Sequence, residues 1–353
     1  MSGGVYAYAT LGLSLTHTCP FSCAHCIVNC GPAVEDEMST AEAFHYIGSL
    51  DKEIGHISFT GGEPFLNLPR LEKVIKEAKR LGYAVSVMTC GFWAGTPKRT
   101  HRILQRLQDL GLDMMGVSLD RFHLEFVGED RCVNICQACA SLNLPVSVRV
   151  LIPPEDHYGQ HVREMLRDTK ALIYVNHFVR CGRARSLPVH FFRTSKKPFA
   201  HVCETIKAVN VSPGGNVYAC CGPMQDMHPT NPLVLGNALT DKLSDILRKG
   251  LSNPFMKVIN TRGPVGLFQD LQEQGYANLV KNRRFYTDAC QLCLDICNSA
   301  PLVRILETIY ADPDIRRTQN AAQFKKIFHE YRKLMDYESR TGSLKETCGF
   351  VRR

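Results

Sequence analysis

The stretch Cys19-Pro-Phe-Ser-Cys23-Ala-His-Cys26 places three thiols at C-x3-C-x2-C spacing. Thiolates so spaced can wrap three irons of a 4Fe-4S cube and leave the fourth iron open as a reaction site. Zinc with His25 as fourth ligand is the alternative, although zinc motifs usually bring a second paired half at close range. A second group of thiols follows far downstream: Cys203, Cys220 and the pair in Cys290-Gln-Leu-Cys293. Between the first two, the segment AVNVSPGGNVYAC reads as two short strands around a Gly-Gly turn, which brings Cys203 and Cys220 to one end of a hairpin. Adding the C-x2-C pair completes four thiolates for one closed cluster. The chain holds 16 cysteines in 353 residues. It starts without an export signal, so in a reducing cytosol metal ligation or redox chemistry explains these thiols better than disulfides do. Cys132, Cys136 and Cys139 are read instead as one buried helix face.

Elements must position these groups. Short apolar runs at residues 11–16, 56–60, 84–88, 115–119, 146–152 and 173–179 alternate with helix-like stretches, the pattern of repeated βα units around a parallel sheet. Ser39 with Glu42 forms a capping box, Thr96-Pro97 reads as a helix start, and Leu81-Gly82 and Leu110-Gly111 read as helix stops. In such barrels the chemistry lies on the loops that follow the strands, which is where the first cysteine loop falls. The Pro- and Lys-containing segment 186–198 is read as a linker to a second, metal-stabilised domain. The tail from Pro301 to about Tyr337 has helical apolar spacing and reads as one or two closing helices. The expected division is therefore a barrel over 1–185, an iron-sulfur domain over 186–300 and a helical segment over 301–353.

The cysteine loop, placed after a first strand, resembles that of the radical S-adenosylmethionine (radical SAM) superfamily. So does Gly61-Gly62-Glu63-Pro64 after the second strand. The resemblance covers roughly residues 11–180 and implies an α/β fold, a partial (β/α)6 radical SAM barrel. It implies a glycine-lined backbone beside the methionine amino group of S-adenosylmethionine, with the Glu63 carboxylate suited to accept hydrogen bonds from an ammonium. It also suggests Ser118, Asp120 and, more loosely, Arg149 near the ribose or carboxylate of that cofactor. One departure is Thr89-Cys90-Gly91, where many relatives read Thr-Asn-Gly; Cys90 is expected to face the site mouth, as a neutral replacement or a redox-active thiol. The downstream cysteines look like a twitch domain, the short form of the SPASM domain. That likeness implies one auxiliary 4Fe-4S cluster on Cys203, Cys220, Cys290 and Cys293, since Cys297 and Cys348 are too few for the full pattern. In relatives that invert a stereocentre a lone cysteine supplies a hydrogen atom, and Cys221 and Cys181 are the candidates here.

The implied reaction is reductive cleavage of S-adenosylmethionine to a 5'-deoxyadenosyl radical that abstracts a substrate hydrogen atom, with the barrel positioning and shielding it. Epimerisation or oxidative bond formation in a ribosomally made peptide is expected, with a dehydrogenase or epimerase of an aminoglycoside or aminocyclitol sugar as the alternative. The charge balance, 42 basic against 34 acidic residues for a net +8, favours an acidic leader peptide over a polycationic sugar. Flavodoxin or ferredoxin is the expected kind of electron donor. No Lys/Arg stripe interleaved with aromatics speaks for a nucleic acid. At 44% hydrophobic and 22% charged the chain is not disordered, collagen-like or coiled-coil. No run approaches the ~18 apolar residues of a spanning helix, so a cytoplasmic location without membrane insertion is expected.

Overall fold

The computed structural model describes residues 8–51 and 53–341. Cys348 lies outside the described residues. Chain order begins β1 (Thr10–Thr16), α1 (Thr40–Gly48), β2 (His56–Gly61), α2 (Leu68–Arg80), β3 (Ala84–Thr89), α3 (Pro97–Asp109) and β4 (Met114–Ser118). It continues with α4 (Arg121–Leu124), α5 (Glu129–Ser141), β5 (Val146–Ile152), α6 (Tyr158–Met165) and β6 (Leu172–His177). Then come β7 (Ala208–Val211), β8 (Asn216–Tyr218), β9 (Val234–Asn237), α7 (Leu243–Ser252), α8 (Pro254–Arg262) and α9 (Pro264–Glu273). The chain closes on α10 (Ala289–Cys297), α11 (Ala300–Ala311) and α12 (Pro313–Thr341).

The helix starts follow local chemistry. Ser39 and Glu42 make both bonds of a capping box at α1, and Thr96 caps α3 ahead of Pro97. In α2 the residues Leu71, Val74, Ile75 and Ala78 recur at helical spacing and are all buried against the sheet. The strands supply the other half of this core: Leu11, Leu13, Ile57, Phe59, Val85, Val87, Met115, Val117, Val148 and Val150 are fully buried. Such near-continuous apolar strands belong to parallel sheets covered by helices. Cys132, Cys136 and Cys139 do sit together on the buried side of α5.

The sheet order is β6-β5-β4-β3-β2-β1-β7-β8-β9. Strands β1 to β6 run parallel and do not close, a partial barrel whose strand C-termini share one edge. Strand β7 pairs parallel with β1, from Thr10 opposite Ala208 to Leu13 opposite Val211, and β8 and β9 follow antiparallel. The expected hairpin therefore exists, with Gly215 at positive φ in its turn, but it extends the barrel sheet instead of forming a sheet of its own. The stretch 186–198 is likewise not a free linker. Leu187 and Phe192 are buried, and Phe191 packs against Phe122 and Phe178 with ring centroids 5.5 and 6.1 Å apart. Its Pro and Lys residues suggested solvent, whereas its paired phenylalanines wall the cysteine loop. Among the described residues no single helix is long and apolar enough to cross a membrane.

Candidate active site and cysteine centres

The loop after β1 is tied down before it reaches its thiols. Thr16 Oγ1 accepts from the Thr18 amide at 2.9 Å, Thr18 Oγ1 donates to the Val34 carbonyl, and the Cys19 amide donates to Gly31 at 3.1 Å. A short bond from the Cys26 amide to the Cys23 carbonyl then folds the three cysteines toward one another. Burial pushes the Cys23 thiol up to about 12, and negative charge on Asp120, Cys19 and Cys26 adds to the shift. Buried thiolates that oppose each other's ionisation are a donor set for a soft cation, which removes both penalties at once. The three thiols therefore fit an iron-sulfur centre. A fourth cysteine, passed over in the sequence, stands beside them. Cys30 is 2% exposed, and its thiol bonds Cys26 and lowers the Cys26 pKa to about 5. Its own pKa rises, first through that bond and then through burial.

Two glycines lock the second motif onto this loop. At Gly61, with φ +129°, a Cβ would lie 2.2 Å from the Thr16 carbonyl oxygen; at Gly62 it would lie 2.0 Å from that of Thr18. These gaps are filled by main-chain bonds, Gly62 N–H to Thr16 at 2.6 Å and Glu63 N–H to Thr18 at 2.9 Å. Close backbone approach is thus used inside the protein, between motif and cysteine loop. The Glu63 carboxylate is held by donors within the protein. It is fully buried, and Oε1 accepts from the Phe65 amide at 3.1 Å and Thr89 Oγ1 at 2.8 Å. Oε2 accepts from the Cys90 amide at 2.7 Å and lies 3.0 Å from Thr89 Oγ1, whose single hydrogen is shared between the two oxygens. Pro64 starts a short 3-10 turn that Glu63 caps. Cys90 is drawn inward by the same network: it is buried, not open at the mouth, and its thiol bonds Cys19. Burial raises the Cys90 pKa, whereas the bond it gives lowers that of Cys19.

At the end of β4, Asp120 caps α4 by accepting from the Phe122 and His123 amides at 3.0 and 3.2 Å. Its oxygens also face His25 Nε2 at 3.3 Å and His123 Nδ1 at 3.0 Å. Burial alone would raise the Asp120 pKa, but the His123 and His25 bonds overcome it and hold the carboxyl well below the usual range. The His25 ring, stacked on Phe122 at 5.0 Å, therefore directs its Nε2 at a carboxylate. Ser118 pairs in register with Arg149 of β5, whose guanidinium carbon lies 5.2 Å from the Tyr174 ring centre.

The second group of thiols lies around the exit of β8 and the start of α10. Cys220 is buried close enough to Cys203, Cys221 and Cys181 to feel their charge, and Cys290 feels Cys220, Cys203 and Cys181. Cys293 bonds Cys297, one helical turn on along α10. Burial pushes the Cys220 and Cys290 thiols far up, and the Cys297 bond followed by burial does so for Cys293. Cys181, 0% exposed, sits among them. Cys221 differs: it is exposed, while burial around it still raises its pKa against the opposing pull of Arg149. Cys221 thus lies near enough to Arg149 of β5 to feel its charge.

A family model described as the Radical SAM superfamily matches residues 13–168. Over 304 residues the chain is 22% identical to YydG of Bacillus subtilis strain 168, named as a peptide biosynthesis protein, covering 82% of this chain and 92% of that protein. A PqqA peptide cyclase of Streptomyces rochei is 32% identical over 117 residues, 33% of this chain and 30% of the cyclase. The solved structure of native anSMEcpe with bound AdoMet and Cp18Cys peptide aligns at 14% identity and a TM-score of 0.49, over 85% of this chain and 99% of that one. The family match takes in both the cysteine loop and the glycine turn, so residues 13–168 carry a radical S-adenosylmethionine domain, the kind of domain whose cofactors are S-adenosylmethionine and a 4Fe-4S cluster.

Proposed function

We propose that this enzyme modifies a ribosomally made peptide by inverting a stereocentre, with Cys19, Cys23 and Cys26 holding the cofactor cluster and Cys221 returning the hydrogen atom. The observation that carries the reading is the contrast between neighbours on β8's exit: Cys220 buried among thiols, Cys221 exposed and within the electrostatic reach of Arg149. When bound, S-adenosylmethionine and its cluster supply a 5'-deoxyadenosyl radical that takes one hydrogen atom from a substrate C–H bond. The likeness to YydG and to the PqqA cyclases supports a peptide substrate, and the net charge of +8 suits an acidic leader.

Each chain residue has a task in this scheme. The Gly61-Gly62 backbone holds the cysteine loop in register, and the Glu63 network fixes the turn after β3. Cys221 donates its thiol hydrogen to the carbon radical from the side opposite the abstraction, and one electron from an external donor such as flavodoxin or ferredoxin, with one proton from solvent, restores the thiol. Crowding around Cys221 keeps it a neutral thiol at neutral pH, the form that carries the hydrogen. Cys203, Cys220, Cys290 and Cys293 hold an auxiliary 4Fe-4S cluster in a twitch-like arrangement, and Cys181, buried among those thiols, takes no part in hydrogen return.

Turnover of a candidate peptide in deuterated water tests this. Epimerisation places one deuterium in the product, because thiol hydrogens exchange with solvent. Cys221→Ala should stop before product while 5'-deoxyadenosine still forms. A product two hydrogens lighter and free of deuterium would replace the reading with oxidation.

A further inference from the structure

The two cysteine centres are joined by one short strap of chain. Residues Arg180 to Arg185 follow β6 and touch both. Toward the first centre, the Arg183 amide donates to the Cys26 carbonyl at 3.0 Å, its Nε to the Cys23 carbonyl at 3.0 Å and its Nη2 to the Cys30 carbonyl at 2.6 Å. One residue thus grips the loop at three carbonyls, one through its amide and two through its side chain, and two of the three belong to cluster ligands. Gly182 makes this approach possible: at φ +53° a Cβ would lie 2.5 Å from the Ile27 carbonyl oxygen and 2.7 Å from that of Cys26.

Toward the second centre, the strap is fastened to both ends of α10. The Arg180 amide donates to Asp288 Oδ2 at 2.9 Å, and Asp288 Oδ1 caps α10 by accepting from the Gln291 amide. The Gly182 amide donates to Asp226 Oδ2 at 2.8 Å, and Arg185 Nη2 pairs with Asp226 Oδ1 at 2.8 Å. The Asp226 carbonyl in turn accepts from Asn298, the C-cap of α10, at 2.7 Å. Helix α10 carries Cys290 and Cys293 between those two fastenings and rises about 13 Å along its nine residues. Cys181 and Ala184 of the strap are both fully buried.

We propose that Arg180–Arg185 is a rigid coupler that holds the radical-generating cysteine loop at a fixed distance and angle from the auxiliary thiols, with Arg183 and Asp226 as its positioning residues. The claim rests on the reading of both thiol groups as cluster sites. A coupler differs from two local clamps in one respect: loosening either end is felt at the other. Reaction geometry depends on this, because a hydrogen taken on one side and returned on the other requires both machineries to keep their separation within a fraction of an ångström.

The test uses the iron-loaded full chain under anaerobic conditions, with wild type, Arg183→Gln, Arg183→Lys and Asp226→Asn compared by hydrogen exchange. Two regions are read, residues 19–31 and residues 288–298. Arg183→Gln should speed exchange in 19–31 by roughly tenfold and also speed it in 288–298; Asp226→Asn, whose side-chain bonds run to Gly182 and Arg185, should loosen the strap from the α10 side and speed exchange in both regions. Lysine reaches one carbonyl where arginine reaches two, so Arg183→Lys should recover part of the effect. The electron paramagnetic resonance spectrum of the first cluster with S-adenosylmethionine should shift in Asp226→Asn, although that residue bonds nothing in the cysteine loop. Effects confined to the mutated end in both variants, with an unshifted spectrum, overturn the coupler. If Arg183→Gln fails to load iron, Gly182→Ala displaces the same strap by steric contact and is read the same way. Iron is counted on each sample: about four per chain would sink the second-cluster reading, while the exchange comparison still decides the strap.

Discussion

Replacing Glu63 by glutamine changes one atom in the densest polar network of the barrel. The two backbone donors lie one on each oxygen, Phe65 N–H on Oε1 and Cys90 N–H on Oε2. The Thr89 hydroxyl has a single hydrogen to share between them, because its own oxygen already accepts from the Gly91 amide and from Trp93 Nε1, each at 3.0 Å. The glutamine NH2 must therefore point at an N–H wherever it is placed. A lost hydrogen bond to a charged group is worth about 1.5–3 kcal/mol, and a buried donor left unpaired costs about 1–3 kcal/mol. Part of this is offset, since burial raises the Glu63 pKa and glutamine carries no charge to desolvate. A net loss of about 2–3 kcal/mol follows, or on the order of 5 °C in melting temperature for a chain of this size. Anaerobic thermal unfolding of iron-loaded Glu63→Gln, with cofactor binding by titration calorimetry, measures both consequences. An unchanged melting temperature together with a hundredfold loss of S-adenosylmethionine affinity would refute the reasoning and return Glu63 to the role of ammonium ligand.

Reconstituted protein should bind about eight irons per chain, and replacing Cys19, Cys23 and Cys26 together should leave about four and abolish 5'-deoxyadenosine formation. Single alanine variants of Cys181 and Cys297 should keep the full iron content, whereas Cys203→Ala should not; loss of iron in either of the first two would redraw the auxiliary ligand set. Burial lowers the His56 pKa to about 4, and its Nδ1 lies 3.0 Å from Thr10 Oγ1. The unfolded chain protonates this imidazole first, so stability is full above pH ~6.5 and falls toward pH 4, by up to about 3 kcal/mol. Urea midpoints measured across that window should decline in wild type and decline less in His56→Gln.

The barrel strands were legible because apolar runs bounded by capped helices and Leu-Gly stops leave little freedom in a parallel sheet, and the six runs match β1 to β6 within two residues at either end. The hairpin was legible too, through Gly214-Gly215. Its neighbour was not. Nothing in Ala208–Val211 names β1 as the strand it will pair with, since pairing in a parallel sheet is decided by which edge is free once the barrel has formed. The linker reading of 186–198 failed for a related reason. Composition weighs every residue equally, whereas a segment's place is set by the residues that cannot face water, here Leu187, Phe191 and Phe192.

The site shows the same division between what spacing reveals and what folding decides. Motif spacing finds the groups able to bind iron; it does not reveal whether a neighbouring polar group is directed at a ligand or already satisfied within the protein. Glu63 and Asp120 both sit on loops where the motifs imply a cofactor contact, and the fold also sets internal groups against them, the turn after β3 in one case and His25 with His123 in the other. Cys30 was hidden for the opposite reason: one more cysteine beyond a recognised motif carries no signal until the loop folds back and sets it against Cys26. Arg183 lies more than 150 residues from the carbonyls it grips, beyond the reach of any local pattern. A buried carbonyl must find a donor somewhere, and the cysteine loop, with too few residues to satisfy itself, takes its donors from the far end of the barrel.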